Sequence, residues 1–355
     1  MGQRDTLLEN LPSEPIQKKR RIGWGQIIGL VVSAVFLVIS IRNLHPGDVW
    51  EALRQAQYVW IVPGVILYLL ALGARTARWR QLLLADRRIR WRDLLPTMAM
   101  GRGANNIYPF RTGEIVRILI LRQRNGVPVS AGLASILVER IFDGLTMILF
   151  LILAALIGGI PSYLRYVVWM AVGVFGAALA AVYAVVLWPE PIRRVADAVI
   201  DRLTPRRFHD RLRGIVDSFI HGLASVKSAR TLTLVLFFSI CVWTAETISY
   251  RLLMNAFGFT VTLHELLLMS GAANLGTALP SGPGNVGTFD APAIEVLSRV
   301  GVPRNVAFSY QMVLHAVLWS TETFYGLYFM WRTGLGKAEL DRSLAEQAPE
   351  IGSQA

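Results

Sequence analysis

The chain has 355 residues, 54% of them hydrophobic and only 17% charged, where soluble domains carry about a quarter charged residues. Several apolar runs reach or approach the ~20 residues that cross a bilayer, and they are continuous, which excludes a soluble globule and the alternating pattern of a transmembrane β-barrel. The net charge of +12 gathers in the gaps between runs, as the positive-inside rule produces, and no RNA- or DNA-binding module accompanies it, so nucleic acid is not expected as a partner.

Residues 1–17 are polar and broken by Pro12 and Pro15, a composition that predicts a disordered cytoplasmic tail over 1–21. "KKRR" at 18–21 precedes the first apolar run. That run is too long for a signal-peptide core and lacks a small-residue cleavage site, so it reads as a retained signal anchor with the N-terminus in the cytoplasm. Full spans are expected at 22–42, 58–76, 131–158, 163–188, 231–257 and 305–331. The stretch "ARTARWRQLLLADRRIRWR" carries Arg75, Arg78, Arg80, Arg87, Arg88, Arg90 and Arg92 against Asp86, and the linker 189–230 is equally rich in arginine. Both should be cytoplasmic, whereas the gaps at 43–57, 159–162 and 258–263 should face outward. Six spans satisfy this with both termini in the cytoplasm, a membrane domain over 22–335 and a tail over 336–355. The one cysteine, Cys241, cannot form an internal disulfide and reads as a small apolar residue.

Two regions do not read as simple spans, 94–128 and 264–303. Each has an apolar first arm, a Gly/Asn/Pro break and a charged amphipathic second arm. The sidedness of their neighbours requires each to enter and leave on one side, the first from the cytoplasm and the second from outside. Each is therefore a candidate re-entrant helical hairpin; ten full crossings would preserve the same sidedness. The regions also resemble each other. "LLPTMAMGRGANNIYPFRTGE" and "LLLMSGAANLGTALPSGPGNVG" both run from aliphatics through Gly-Ala-Asn to Pro-x-x-Gly, then to Gly-Val-Pro and a full span. Counted from the first Gly of each Gly-Val-Pro, Arg140 aligns with His315. Because the preceding spans run in opposite directions, the pattern is an inverted repeat, which is associated with transporters.

Backbone freed at membrane depth is tolerated where protein or a water-filled cavity satisfies it. The breaks at Asn105–Gly113 and Asn274–Gly287 therefore predict a polar cavity, lined by Asn105, Asn106, Arg111 and Thr112. Gly282, Gly284 and Gly287 of "LPSGPGNVG" would let backbone N–H groups approach an anion, with Ser281 beside them in the cavity. The plainer alternative is a pair of tight turns. Glu114 and Arg117 lie three apart on one helix face, as do Arg140 and Asp143, with Glu139 beside them. Charges near a span face a partner or a cavity, so these five form either a headgroup wall or a structural ion-pair network. Glu246, Arg251, His315 and Glu322 also lie in apolar context; His315 reads first as a packed histidine. No H-E-x-x-H, P-loop or dinucleotide fingerprint is present, and no metal-ligand spacing. Ser281 with His315 as its base would suit proteolysis, but nothing identifies an oxyanion hole.

The combination "NNIYPFRTGEIVRILILRQRNGVPVSAGLASILVERIFDGL" and "ALPSGPGNVGTFDAPAIEVLSRVGVP" resembles the flippase-like membrane domain of lysylphosphatidylglycerol synthases, over roughly residues 20–335. In that family the membrane domain is thought to move aminoacylated phospholipid between leaflets. The resemblance implies that Arg111, Glu114, Arg117, Glu139, Arg140 and Asp143 belong to a polar core, with Pro283, Gly284 and Gly287 in the second hairpin. The tail "GKAELDRSLAEQAPEIGSQA" is too short to carry the synthases' transferase domain, so no enzyme activity, cofactor or metal is expected. The expected function is a flippase for a phospholipid, glycolipid or polyprenyl-linked lipid in the cytoplasmic membrane. Arg111, Arg117 and Arg140 would meet the phosphate and the three carboxylates would hold them. The alternative is an accessory subunit that presents lipid to a glycosyltransferase or lipid-modifying enzyme; a homo-oligomer or a membrane enzyme is a candidate partner.

Overall fold

The computed structural model describes residues 24–41, 44–83, 89–108, 112–223 and 227–334. The expected tails at 1–21 and 336–355, and Arg111, lie outside the described residues. Thirteen α-helices and no strand are found among those that are described. In chain order they are α1 (Trp24–Ile41), α2 (Pro46–Gln55), α3 (Ile61–Leu83), α4 (Trp91–Ile107), α5 (Thr112–Asn125), α6 (Val129–Gly158) and α7 (Ser162–Leu187), then α8 (Pro189–Leu203), α9 (His209–Gly222), α10 (Ala229–Ala256), α11 (Leu263–Gly276), α12 (Asp290–Arg299) and α13 (Arg304–Thr333).

Among the described residues, four stretches are long and apolar enough to cross a membrane: Tyr58–Leu83, Val129–Gly158, Ser162–Leu187 and Ala229–Ala256. At 1.5 Å per residue, the 26–30 residues of each reach about 39–45 Å, more than the ~30 Å hydrocarbon core. They coincide with four of the six expected spans. α1 with α2 makes a pair bent by 85° that would add a fifth. α13 is 30 residues long, but it carries the polar series Ser309, Gln311, His315, Glu322 and Thr323. α7 leaves Tyr166, Trp169 and Val174 exposed, and so much outward apolar surface suits lipid contact.

One expected boundary needs correction. The span expected to end at 76 continues as helix to Leu83. Arg75 and Arg78, which sequence alone assigns to a cytoplasmic basic stretch, are buried inside the bundle. The physical reason is that carboxylates of α6 and α10 stand opposite them. The linker expected at 189–230 also holds two helices, α8 and α9.

The two irregular regions have matching local structure. α4 and α5 fold back on each other across Tyr108–Arg111, of which 109–111 lie outside the described residues. Their approach is close enough to require glycine, because a Cβ on Gly113 would fall 1.9 Å from the Gly101 carbonyl. α11 and α12 likewise pack together across 277–289. Each hairpin then ends at a Gly-Val-Pro turn whose glycine has positive φ, 67° at Gly126 and 97° at Gly301, a conformation that glycine adopts without penalty. Pro128 and Pro303 then open 30-residue helices. The packing partners are exchanged between the halves as well. α4 packs on α13 and α11 on α6, while α3 packs on α10.

Candidate functional site

The two hairpins and the long helices around them enclose a cavity of about 400 Å³, within the usual range for a small-ligand site. Eleven of the expected residues line it: Asn105, Asn106, Glu114, Arg117, Arg140, Glu246, Asn274, Ser281, Gly284, His315 and Glu322. Glu139 and Asp143 stand behind the wall, bonded to its arginines. Gly287 faces elsewhere: a Cβ there would lie 2.7 Å from the Ser33 carbonyl of α1. The breaks are also shorter than expected, since Asn105 and Asn106 close the last turn of α4 and Asn274 the last turn of α11.

The first wall is an ion-pair network of three arginines and three carboxylates. Arg78 donates to Asp143 at 2.5 Å, to Glu139 at 3.0 Å and to the Ser239 hydroxyl at 3.0 Å. Arg117 donates to the other Glu139 oxygen at 2.6 Å and stacks 4.3 Å over the Trp79 ring. Arg140 lies 3.2–3.6 Å from Glu139, Asp143 and Glu114. Arg78 is fully buried, whereas the Arg140 side chain is 31% exposed. Arg140 is thus positioned to reach a ligand, and Arg78 and Arg117 are held by protein. Glu114 faces Arg140 and not its helical neighbour Arg117, because tertiary partners outweigh i,i+3 proximity.

Two further pairs sit across the cavity. Arg75 of α3 is paired with Glu246 of α10 and stacks 4.8 Å from the Trp243 ring. Arg102 of α4 is paired with Glu322 of α13, and Tyr68 donates to the same carboxylate. The Arg102 side chain is 21% exposed, so it is a second accessible cation. Neither Arg75 nor Arg102 was a site candidate from sequence. Arg75 sits among cytoplasmic-looking arginines, and Arg102 lies between two glycines with no periodic signal; a charge at the apolar end of α4 was the available clue.

The second hairpin presents a different surface from the one expected. The Gly282 N–H donates to Ser33 at 2.8 Å and the Gly287 N–H to Asp290 at 2.8 Å, so both amides are already satisfied by protein. Asp290 also accepts from Gln311 at 3.0 Å and faces His315 Nδ1 at 2.7 Å. The other ring nitrogen of His315 lies 3.0 Å from the Gly284 carbonyl. His315 is therefore packed and partnered, as first read, while also lining the cavity; with both nitrogens engaged it is not a free base for Ser281, whose hydroxyl bonds Asn285 at 3.0 Å. Across the cavity, Asn106 donates to the Trp319 carbonyl at 3.0 Å and ties α4 to α13. Asn105 Oδ1 is buried without a hydrogen-bond partner among the described residues.

Comparison with known proteins follows the same stretch. A family model for the lysylphosphatidylglycerol synthase transmembrane region matches residues 26–326, which include both hairpins. A protein named glycosyltransferase AglD from Haloferax volcanii is 23% identical over 82% of this chain, and the chain spans about half of that relative's length, 51%. Two UPF0104 membrane proteins of Methanothermobacter thermautotrophicus are 26% and 25% identical over 80% and 79% of the chain, covering 88% and 86% of their own length. No solved structure matches. With its apolar helices and this match, the chain is a multi-pass membrane protein and belongs to the family of the lysylphosphatidylglycerol synthase transmembrane region.

Proposed function

We propose that this protein moves a polar-headgroup lipid between the leaflets of the cytoplasmic membrane, holding the headgroup in the cavity while the acyl chains stay in lipid. The observation that carries the reading is that one polar cavity collects both helical breaks, with two partly exposed arginines, Arg102 and Arg140, on its wall. In this reading α4–α5 and α11–α12 are re-entrant hairpins, and α1 and α13 complete six spans. The exchanged packing of α4 on α13 and α11 on α6 supports an inverted repeat, the architecture in which a midplane site is reached alternately from each side. Both termini lie in the cytoplasm, and the chain acts as a transporter and not as an enzyme. Arg140 keeps the phosphate contact expected of it, and Arg102 takes the place expected for Arg117, which protein already holds on both sides.

The test is reconstitution of the purified chain in vesicles containing fluorescent phospholipid, glycolipid or polyprenyl-phosphate lipid, with a membrane-impermeant quencher. The wild type is expected to equilibrate at least one lipid between leaflets, and Arg102→Gln with Arg140→Gln to slow that lipid by an order of magnitude or more, in line with losing two charge-assisted contacts of about 1.5 kcal/mol or more each. Failure of the wild type with every lipid would sink the transport reading. That outcome would favour a second one, an accessory role presenting lipid to a membrane glycosyltransferase. Its support is the relative named as a glycosyltransferase, in which the matching stretch is part of a longer chain.

A further inference from the structure

The helices α8 and α9 take no part in the cavity. α8 follows α7 with only Trp188 between them, and that indole side chain is exposed. One face of α8 is turned to α9: Arg213 pairs with Asp197 at 3.2 Å and Asp201 at 2.7 Å, Arg193 pairs with Asp217 at 2.9 Å, and Ile200 is buried. α9 is in turn fixed to α6, where Gly222 lies against Ala131 and Ala134. The opposite face of α8 is uncovered. Val195, Val199 and Leu203 are 63%, 50% and 74% exposed. Their spacing of four makes one stripe, with Arg202 and Arg206 exposed beside it, and Arg194 exposed on the flank nearer Asp197. None of these three arginines has an acidic partner among the described residues.

We propose that this face of α8 lies on the bilayer surface and binds anionic lipid there. A short apolar stripe flanked by arginines is the composition of an interfacial helix. The arginine stems can lie along the acyl boundary while the guanidinium groups reach lipid phosphates. Three observations favour lipid over a protein partner. The helix leaves directly from the end of an apolar span, so the surface is within reach. Its inward-facing charges are matched, whereas its outward-facing arginines are not. A second copy docking by the same face would set those arginines against their own counterparts. The inference does not depend on the transport reading, since the same surface would serve either function.

The experiment uses the full chain with Cys241→Ser and Val199→Cys, labelled with bimane and reconstituted in phosphatidylcholine vesicles with and without phosphatidylglycerol. Expected with phosphatidylglycerol are quenching by lipid brominated high on the acyl chain and shielding from aqueous iodide. Neutralising Arg202→Gln and Arg206→Gln should lower the ratio of docked to lifted helix by about fivefold per arginine, and only in the anionic vesicles. Free access to iodide would overturn the proposal. So would shielding from iodide without quenching by lipid, which would mean that protein covers the face. Equal docking in both vesicle types, unmoved by the two substitutions, would overturn the anionic-lipid assignment.

Discussion

Replacing Arg78 with methionine isolates the electrostatic logic of the bundle. In the folded protein Arg78, Arg117 and Arg140 face Glu114, Glu139 and Asp143, three charges of each sign. Methionine fills much of the space but removes one cation that is fully buried. Glu139 retains Arg117 and Arg140, and Asp143 retains Arg140 and the Trp243 N–H at 2.9 Å, yet the cluster holds one uncompensated negative charge. Removing one partner of a buried pair costs about 3–5 kcal/mol. At roughly 2 °C per kcal/mol for a large domain, the apparent melting temperature should fall on the order of 6–10 °C. Adding Asp143→Asn restores the balance, and its oxygen can still accept from Trp243, so the double variant should regain at least half of the loss. The assay is thermal loss of monodisperse protein in detergent for wild type, both single variants and the double. Additive losses, with a coupling energy below about 0.5 kcal/mol, would refute the claim that charge balance holds this cluster together.

Two further substitutions probe backbone approach and polar satisfaction. Gly113→Ala should force α4 and α5 apart, because its Cβ would meet the Gly101 carbonyl at 1.9 Å and the Asn105 backbone nitrogen at 2.6 Å; a loss at or above ~3 kcal/mol is expected. Gly47→Ala, with nothing within 4 Å, is its control, and equal melting of the two variants would show that the hairpin arms are not packed as described. Asp290→Asn should cost ~1–3 kcal/mol. In either amide orientation an NH₂ group faces a donor, the Gly287 N–H on one side or Gln311 and His315 on the other. Unchanged thermal stability would refute the role of Asp290 as the pin between the second hairpin and α13.

Much of this architecture was legible because its signals are local. Apolar length marks α6, α7 and α10, and the Gly-Val-Pro turns announce two equivalent starts of long helices. Glu139 and Asp143 were found because four-residue spacing on an apolar helix needs a reason. What was not legible lies in pairings made across the fold. Arg75 and Arg78 fall in a stretch whose many arginines satisfy a rule about sidedness, and that rule is blind to carboxylates 171, 61 and 65 residues away. Glu246 accordingly meets Arg75 and not Arg251, five residues along its own helix. The loop amides of "LPSGPGNVG" did look suited to an anion. The carboxylate that reaches Gly287 is the protein's own Asp290, and Ser33 of α1 takes the other amide.

The pairing of arginines with carboxylates has an electrical consequence. Each cluster sums to zero: three against three around Glu139, Arg75 with Glu246, and Arg102 with Glu322. Because the partners of each pair stand on different helices, only helices that move together with their partners displace no net charge from these clusters, and on such a joint movement the membrane voltage does no work. An unmatched arginine would instead couple at about 2.3 kcal/mol per 100 mV for a full crossing. On the proposed function, the voltage then acts on the cargo's own charge. A zwitterionic headgroup would cross indifferent to the potential, and an anionic one would be driven toward the positive side.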